Sequence, residues 1–352
     1  MKSAGQSLKI LAGLGVAIAL AFASPASAQS SDRYAAYVID ARTNEVLLDD
    51  QADEGRYPAS LTKMMTLYML FEALERGDVT MSTRLTASRN AARQPPSRLG
   101  LRRGDVITVE QAINALVVQS ANDVAVLVAE RLGGSEARFS AAMTTRAREL
   151  GMTNSRFVNA SGLPDTRQRS SAHDMAMLAQ ALWRDFPEHY HYFQTPSFSW
   201  RRGGGRNHNH LLGQVEGVDG IKTGYTRASG FNLASSAERG GRRVIVVVMG
   251  GETAAARDAQ VAYLIEGAFE EFARREQPGA TRFVGLQSPR LDVQLAPNAL
   301  ASNQPPRPLP PSPYQVYQGM VVETLSPVRA PIESSPTAQG DESTEEEQST
   351  EE

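Results

Sequence analysis

Strand-like and helix-like patterns occupy separate parts of this chain, and this segregation is what most limits its possible folds. A hairpin of strand-like residues opens the region at 34–48, and two more strand patterns close it at 231–249. Apolar residues at helical spacing fill the interval between them. Strands that do not alternate with helices predict an α+β fold with one antiparallel sheet, rather than repeated βαβ units. We expect the opening hairpin and the closing strands to share that sheet.

Capping residues indicate where several helices begin and end. Thr108 and Gln111 have the spacing of a capping box before an apolar stretch, and Ser171 precedes another helical pattern. Gly77 and Gly133-Gly134 follow helical patterns and are typical stops. A last helix is predicted over 254–274, directly after the closing strands.

The first residues have the pattern of a secretory signal peptide. Lys2 and Lys9 are followed by an apolar run at 10–23 and by Ala26-Ser27-Ala28. The apolar run is too short to cross a membrane comfortably. We therefore predict a cleavable signal peptide over 1–28 and a periplasmic location.

The chain has no cysteine, which excludes disulfides and a lipid-modified cysteine anchor. An exported domain of this kind depends on its own hydrophobic core, and the remaining chain is long enough to build one.

Beyond residue 279 the composition changes. Prolines dominate 305–313, and the stretch 341–352 has seven acidic residues and no basic one. Such a composition cannot bury enough apolar area to offset chain entropy, so 280–352 is predicted to be mostly disordered, with a small apolar island at 314–325. An acidic end without a basic amphipathic helix argues against a stable membrane anchor. Without that end and without the signal peptide, the remaining chain carries a net charge of about +2, which argues against nucleic-acid binding.

Three short strings carry the chemistry, and the first is Ser60-Leu61-Thr62-Lys63. Residues three apart lie on one helical face, so Lys63 can reach the Ser60 hydroxyl. A serine becomes a nucleophile when a base takes its proton, and a lysine can be that base when burial and a second cation lower its pKa. We expect Lys222 to supply the second cation.

The other two strings are Ser120-Ala121-Asn122 and Lys222-Thr223-Gly224. The first lies between two apolar helices, where a hydroxyl could relay a proton and an amide could orient a substrate. The second follows a strand-like stretch, and a strand edge can pair with an extended peptide. Lysine and threonine there suit a carboxylate, and glycine allows close backbone approach. Each string alone fits an ordinary turn or strand end, but the ordered set is specific.

Longer strings at 57–66, 120–123, 157–164, 218–226 and 230–233 resemble the low-molecular-mass penicillin-binding proteins, the serine D-alanyl-D-alanine carboxypeptidases. The resemblance covers about 34–272. It implies a penicillin-binding/β-lactamase-like transpeptidase fold, with helices packed on both sides of the sheet. It also implies a catalytic domain over 29–279.

By this resemblance, Ser60 would form the acyl ester and Lys63 would accept its proton. Ser120 and Asn122 would assist proton transfer and hold the substrate. The activity implied is removal of the last D-alanine from peptidoglycan stem peptides ending in D-Ala-D-Ala. β-Lactams would acylate Ser60. No metal and no cofactor is implied.

The resemblance also implies a substrate-binding set. Lys222 and Thr223, with Gly224, would bind the terminal carboxylate, and Arg257 matches a family arginine near that site. The backbone N–H of Tyr225 would complete an oxyanion hole with that of Ser60.

Several alternatives remain open at this stage. A D,D-endopeptidase would use the same residues, a class A-like β-lactamase is less favoured, and a non-catalytic wall-binding protein is least favoured. His189, His191, His208 and His210 also have the spacing of two His-x-His pairs, a weak zinc pattern. The chain departs from the family at His208, where a related carboxypeptidase pattern has an arginine nearby. It also departs after residue 279, where the family's small β-domain and membrane helix are not recognisable.

Overall fold

The computed structural model describes residues 33–201, 203–277 and 285–286. The predicted signal peptide lies outside these residues. So does the predicted disordered tail, with its apolar island, apart from Gly285 and Leu286.

One antiparallel sheet of five strands, in the order β2-β1-β9-β8-β7, organises the described chain. The opening hairpin forms one side of the sheet and the closing strands form the other, as the sequence predicted. Its strands are β1 (Ala35–Asp40), β2 (Val46–Asp50), β7 (Val218–Thr226), β8 (Gly230–Arg239) and β9 (Arg242–Gly251).

The order of the strands makes β2 and β7 the two edges of this sheet. The central pair, β1 and β9, aligns Tyr37 with Val247 and Val38 with Val246. Because neighbouring residues of a strand point to opposite faces, Tyr37 and Val38 enter two different cores.

Helices cover both faces of the sheet. The helices α1 and α6 belong to the larger core, and α6 packs directly on β1 and β9. The last helix packs on β8 and β9 from the other side and completes the smaller core. Within the described residues the α-helices are α1 (Thr62–Glu75), α2 (Arg89–Ala92), α3 (Val109–Val117), α4 (Asn122–Gly133), α5 (Glu136–Glu149), α6 (Ala172–Asp185), α7 (Pro187–Tyr190) and α8 (Ala254–Arg275).

The predicted caps and stops are confirmed. The Thr108 hydroxyl accepts from the backbone N–H of Gln111, and the Gln111 side chain accepts from that of Thr108. Ser171 caps α6 through the backbone N–H of Asp174. Gly134, at φ 71°, ends α4 in the left-handed region, where a glycine has no steric penalty. These caps fix the residues at which α3 and α6 begin and α4 ends.

Two small hairpins and one long helix were not predicted, and neither were the four-residue helices α2 and α7. The hairpins pair β3 (Arg84–Thr86) with β4 (Val106–Thr108), and β5 (Ser197–Trp200) with β6 (Gly203–Arg206). The helix is α5, which presents few apolar residues apart from Phe139, Met143 and Ala147. Both hairpins and α5 lie in the middle of the chain, the part that the sequence predicted to be mainly helical.

The edge strand β2 has a partner from the far end of the described chain. The backbone N–H of Leu286 donates to the Leu47 carbonyl at 2.8 Å. The Leu286 side chain is buried in the smaller core, beside Leu47. The other edge strand, β7, carries the residues of the third string, Lys222 to Gly224.

Candidate active site

The nucleophile candidate lies on a single 3-10 turn, Ala59–Leu61, that leads directly into α1. We expected Ser60 in the first turn of the helix, and it lies in the turn just before. Lys63 is the second residue of α1, and its Nζ lies 3.0 Å from the Ser60 hydroxyl oxygen, within hydrogen-bond distance. The spacing of the first string therefore places its two functional groups in contact.

Lys63 is fully buried and has three hydrogen-bond acceptors around it. Besides the Ser60 hydroxyl, its Nζ donates to Asn122 Oδ1 at 2.8 Å and to the Ser161 carbonyl at 2.6 Å. Burial moves the pKa of Lys63 well below its ordinary value, and the nearby charge of Lys222 lowers it further. The Asp123 carboxylate acts in the opposite direction on that pKa. The balance favours a neutral amine.

The second string forms the junction between α3 and α4. Ser120 has φ 54°, a left-handed conformation that is uncommon for a residue with a side chain. Its Oγ is buried and has no hydrogen-bond partner among the described residues. A buried hydroxyl without a partner is a costly arrangement and is typical of functional sites.

Asn122 and Asp123 fasten this junction to a neighbouring loop. The Asn122 side-chain amide donates to the Pro95 carbonyl at 2.9 Å, which leaves its oxygen for Lys63. The buried Asp123 carboxylate accepts from three consecutive backbone N–H groups, at 99–101. These hydrogen bonds hold the second string against the loop at 95–101.

The third string lies on the edge strand β7. Lys222 is buried, and its Nζ donates to the Thr223 carbonyl at 3.0 Å. Burial, reinforced by Arg257, lowers the pKa of Lys222 to about 7. A Cβ on Gly224 would lie 3.0 Å from the backbone nitrogen of Ser60, so the strand passes directly against the nucleophile turn. Tyr225 is 54% exposed and stacks on Phe231, with ring centroids 4.2 Å apart.

Arg257 lies in the first turn of α8 and is buried. Its guanidinium donates to the Asn232 carbonyl and to Asp258, both at 2.7 Å. The Asn232 side chain in turn donates to the carbonyls of Tyr57 and Pro58. Asn232 therefore links the arginine to the segment that carries Ser60.

Gly162 and the Ser161 carbonyl complete the wall around Lys63, and the sequence did not single them out. Gly162 has φ 86°, and a Cβ there would lie 1.8 Å from the Ala59 carbonyl oxygen. Only glycine permits this approach. The Asn159 side chain accepts from the Gly162 backbone N–H at 2.8 Å and fixes the loop. The string 157–164 was recognised in the sequence, but a contact made by a backbone carbonyl leaves no residue-type signal.

Three of the four histidines of the weak zinc pattern have separate partners. His189 lies 3.3 Å from Glu75, the His191 ring lies beside the Glu188 carbonyl, and His210 lies 3.1 Å from Asp258. Partial burial, with Lys222 nearby, lowers the pKa of His208 to about 4. In the described ranges, no three His, Asp or Glu side chains are grouped to hold a metal ion.

This geometry can be set beside known proteins. The sequence profile described as D-alanyl-D-alanine carboxypeptidase matches residues 23–253. The chain belongs to the D-alanyl-D-alanine carboxypeptidase family.

Family members from distant bacteria align over the same region. The chain is 36% identical over 245 residues to D-alanyl-D-alanine carboxypeptidase DacF of Bacillus subtilis, which covers 67% of this chain and 62% of DacF. It is 37% identical over 242 residues to DacA of Escherichia coli, with 67% and 60% covered. The chain thus spans less than two thirds of the length of these relatives.

Solved structures of the family share the fold. Penicillin binding protein 5 from Haemophilus influenzae matches with a TM-score of 0.65 and 32% identity, over 67% of this chain and 70% of that one. A Listeria monocytogenes penicillin-binding protein, solved in its ampicillin-bound form, gives a TM-score of 0.61 and 32% identity, over 67% and 96%. The predicted penicillin-binding transpeptidase fold, with helices on both faces of an antiparallel sheet, is confirmed.

No helix in the ranges that the structure describes combines the length and apolar character needed to cross a bilayer.

Proposed function

We propose that this chain is a serine D-alanyl-D-alanine carboxypeptidase that removes the terminal D-alanine from peptidoglycan stem peptides through an acyl-Ser60 intermediate. The observation that carries the proposal is the buried Lys63 amine, 3.0 Å from the Ser60 hydroxyl and beside the edge strand that bears Lys222. Membership of the family supports the same activity.

In the acylation step, the Ser60 oxygen attacks the carbonyl carbon between the two D-alanines. The neutral Lys63 amine takes the hydroxyl proton as the new bond forms, because its lowered pKa leaves a lone pair free at neutral pH. The backbone N–H groups of Ser60 and Tyr225 are the proposed donors to the oxyanion. The close packing of β7 on the nucleophile turn at Gly224 supports this choice of donors.

The leaving D-alanine needs a proton on its nitrogen. Ser120 is the proposed relay, since its hydroxyl is buried and unpartnered within the described chain. Asn122 holds the base in position, because its side-chain oxygen accepts from the Lys63 amine. Water then attacks the acyl ester, and the same groups act in reverse.

The terminal carboxylate of the substrate is the proposed ligand of Lys222 and Thr223. An anion beside Lys222 favours its charged form and raises its pKa above about 7, so binding would restore the ammonium. Arg257 adds positive charge near this carboxylate position, since its charge already lowers the pKa of Lys222. The free edge of β7 is suited to pair with the extended peptide backbone.

β-Lactams are proposed to acylate the same serine. A structural relative with 32% identity was solved in an ampicillin-bound form, which supports this. The same site would also serve a D,D-endopeptidase, because the cleavage chemistry is identical and only the substrate beyond the cleft differs. A periplasmic location after removal of the signal peptide is proposed from the sequence pattern at 1–28.

The deciding experiment is incubation with a pentapeptide ending in D-Ala-D-Ala, followed by mass spectrometry. We expect loss of one alanine, and no loss with the S60A variant. A crosslinked dimer of stem peptides, tested in parallel, separates the two activities. Cleavage of the crosslink without release of terminal alanine would replace the carboxypeptidase by the endopeptidase. An intact pentapeptide and an intact crosslink would overturn the proposal.

A further inference from the structure

Six arginines and no acidic residue occupy the stretch at 79–104, which we call the arginine segment. The chain as a whole has slightly more acidic than basic residues, 39 against 36, so this concentration of positive charge is local. All six arginines are exposed, and none forms an ion pair with another described residue. They are Arg84, Arg89, Arg93, Arg98, Arg102 and Arg103. The segment therefore presents its charge to solvent.

Three of these arginines lie around the short helix α2. Arg89 and Arg93 are four positions apart and share one face of the helix, while Ala91, between them, is buried on the other. The Arg98 guanidinium folds back towards the end of the helix and donates to the Gln94 carbonyl at 3.2 Å. The fold thus gathers charges that are up to nine positions apart in the sequence.

Carboxylates that border the arginine segment offset only part of its charge. The Asp105 side chain accepts from the backbone N–H of Arg102 at 2.8 Å, but it is already paired with Arg201 at 2.8 Å. The Glu130 side chain, on α4, accepts from the Asn90 amide at 3.1 Å. Because Arg201 offsets Asp105, these two carboxylates leave most of the positive charge uncompensated.

The arginine segment is attached directly to the second string. The Ser97 carbonyl accepts from the backbone N–H of Asn122 at 2.8 Å, and the Ser97 hydroxyl donates to the Gln119 carbonyl at 2.6 Å. The Pro95 carbonyl accepts from the Asn122 side chain, as described above. The exposed charge therefore lies beside the catalytic junction between α3 and α4.

The apolar side chains of the segment are turned inwards. Leu85, Leu99 and Leu101 are buried, and the exposed large apolar side chains of the described chain, Val46 and Tyr225, lie outside the segment. A protein surface that lies in a bilayer interface needs an apolar face as well as positive charge. The segment offers charge alone, which favours a hydrated anionic polymer over a lipid surface.

We propose that the arginine segment is a second contact surface for the substrate polymer, where it binds the terminal carboxylates of stem peptides next to the one being cleaved. Each stem ends in a carboxylate both before and after loss of the last D-alanine, so a polymer of stems carries many of them. Guanidinium groups bind carboxylates through paired hydrogen bonds. One exposed ion pair is weak, but contacts linked through one polymer reinforce each other. This inference rests on the proposed carboxypeptidase activity and adds a preference for polymer over short peptide.

The test compares release of D-alanine from isolated peptidoglycan and from a soluble pentapeptide, at equal concentrations of D-Ala-D-Ala ends. Two double variants each remove two exposed charges, Arg89→Gln with Arg93→Gln and Arg102→Gln with Arg103→Gln. We expect each to lower the initial rate on peptidoglycan by about three- to ten-fold, because two surface ion pairs are lost. The rate on the soluble pentapeptide should stay within about two-fold of the wild type, since a single stem does not reach both surfaces. For the wild type, the rate on peptidoglycan relative to pentapeptide should fall as salt rises.

The matched control is Arg138→Gln with Arg148→Gln on α5, which removes the same charge from exposed positions outside the arginine segment. Both rates should stay at their wild-type values. Thermal melts of all three double variants check that they are folded.

A binding assay identifies the anion. The S60A variant, which cannot form the acyl ester, is sedimented with isolated peptidoglycan, with peptidoglycan whose carboxyl groups have been converted to amides, and with phosphatidylglycerol vesicles. We expect sedimentation with the first alone, and weaker sedimentation when Arg89→Gln and Arg93→Gln are added.

An unchanged ratio of the two rates in both double variants would overturn the inference, as would equal binding to native and amidated peptidoglycan. Sedimentation with the vesicles and not with peptidoglycan would overturn it in favour of a membrane contact. Failure of the proposed function looks different, because the wild-type chain would then release no alanine from either substrate.

Discussion

The Lys63 amine lies 3.0 Å from the hydroxyl oxygen of Ser60, and the lysine is fully buried whereas the serine is partly exposed. Three acceptors surround the amine, and one of them, Asn122, comes from the second string. Because burial disfavours the ammonium form and lowers the pKa of Lys63, this contact favours a base over a salt-bridge donor. The predictions below examine this arrangement and its supports.

Replacement of Ser60 by alanine should abolish covalent labelling by a fluorescent penicillin, because no other hydroxyl contacts Lys63 in the described chain. Labelling is read on a denaturing gel, and a thermal melt checks that the variant is folded. The matched control is Ser161→Ala. That serine contacts Lys63 through its backbone carbonyl, which the substitution keeps, so labelling should persist. Equal labelling of S60A and wild type would show that Ser60 is not the nucleophile.

Lys63 and Lys222 are the only lysines after Lys9, which allows direct measurement of both amines. A chain expressed from residue 29 with ¹³C-labelled lysine should give two side-chain signals. We expect one to titrate near pH 7, for Lys222, and the other well below 10.5, for Lys63. K222M identifies the signals by removing one of them, and it should raise the pKa of the remaining Lys63. Two titrations near 10.5 would contradict a neutral base.

Substitution of Lys222 by methionine should stabilise the fold at pH 7 while it removes carboxylate binding. In the folded chain Lys222 loses its proton near pH 7, whereas in the unfolded chain it keeps the proton to about 10.5. Between these values unfolding takes up a proton, so the wild type gains stability as pH rises, by up to about 1.4 kcal/mol per pH unit.

The advantage of K222M in unfolding free energy should therefore shrink from pH 7 towards pH 10. Urea titrations at several pH values measure it. An advantage that grows with pH would mean that the folded pKa of Lys222 is not lowered.

Gly162→Ala should be strongly destabilising and should slow acylation. The new Cβ would lie 1.8 Å from the Ala59 carbonyl, so the nucleophile turn must move. We expect a loss of more than about 2 kcal/mol in unfolding free energy. Gly104→Ala is the control, since it has nearly the same φ, 85°, and open space around its Cβ. The Gly104→Ala variant should lose about 1–2 kcal/mol of unfolding free energy, because alanine is unfavourable at a positive φ, and its acylation rate should be unchanged. Equal costs for both variants would argue against a tight approach at Gly162.

The sequence predicted the frame of the site well, because that frame depends on local chemistry. The spacing of Ser60 and Lys63 fixes their contact within one helical turn, and the capping residues at Thr108 and Ser171 mark helix starts in the chain itself. Segregated strands predicted the shared sheet, and with it the edge position of β7.

What the sequence did not predict depends on distant contacts. The α5 helix has a narrow apolar stripe and was missed, since its remaining face is small and charged. The Ser161 carbonyl reaches Lys63 across 98 positions of the chain, and a backbone atom has no residue-type signal. A cavity of about 180 Å³ beside the nucleophile turn is lined by three separate segments, at 57–59, 162–168 and 226–228, that are brought together only by folding. Patterns of residue type cannot report such a cavity.

The hydrogen bond from Leu286 to Leu47 has a consequence for how the domain is attached to anything that follows it. It fixes that point of the chain to β2, four strand spacings, or about 19 Å, from β7. Whatever is joined beyond Leu286 is therefore connected at the rear of the domain. A tether there would leave the free edge of β7, beside Ser60, on the opposite side of the sheet.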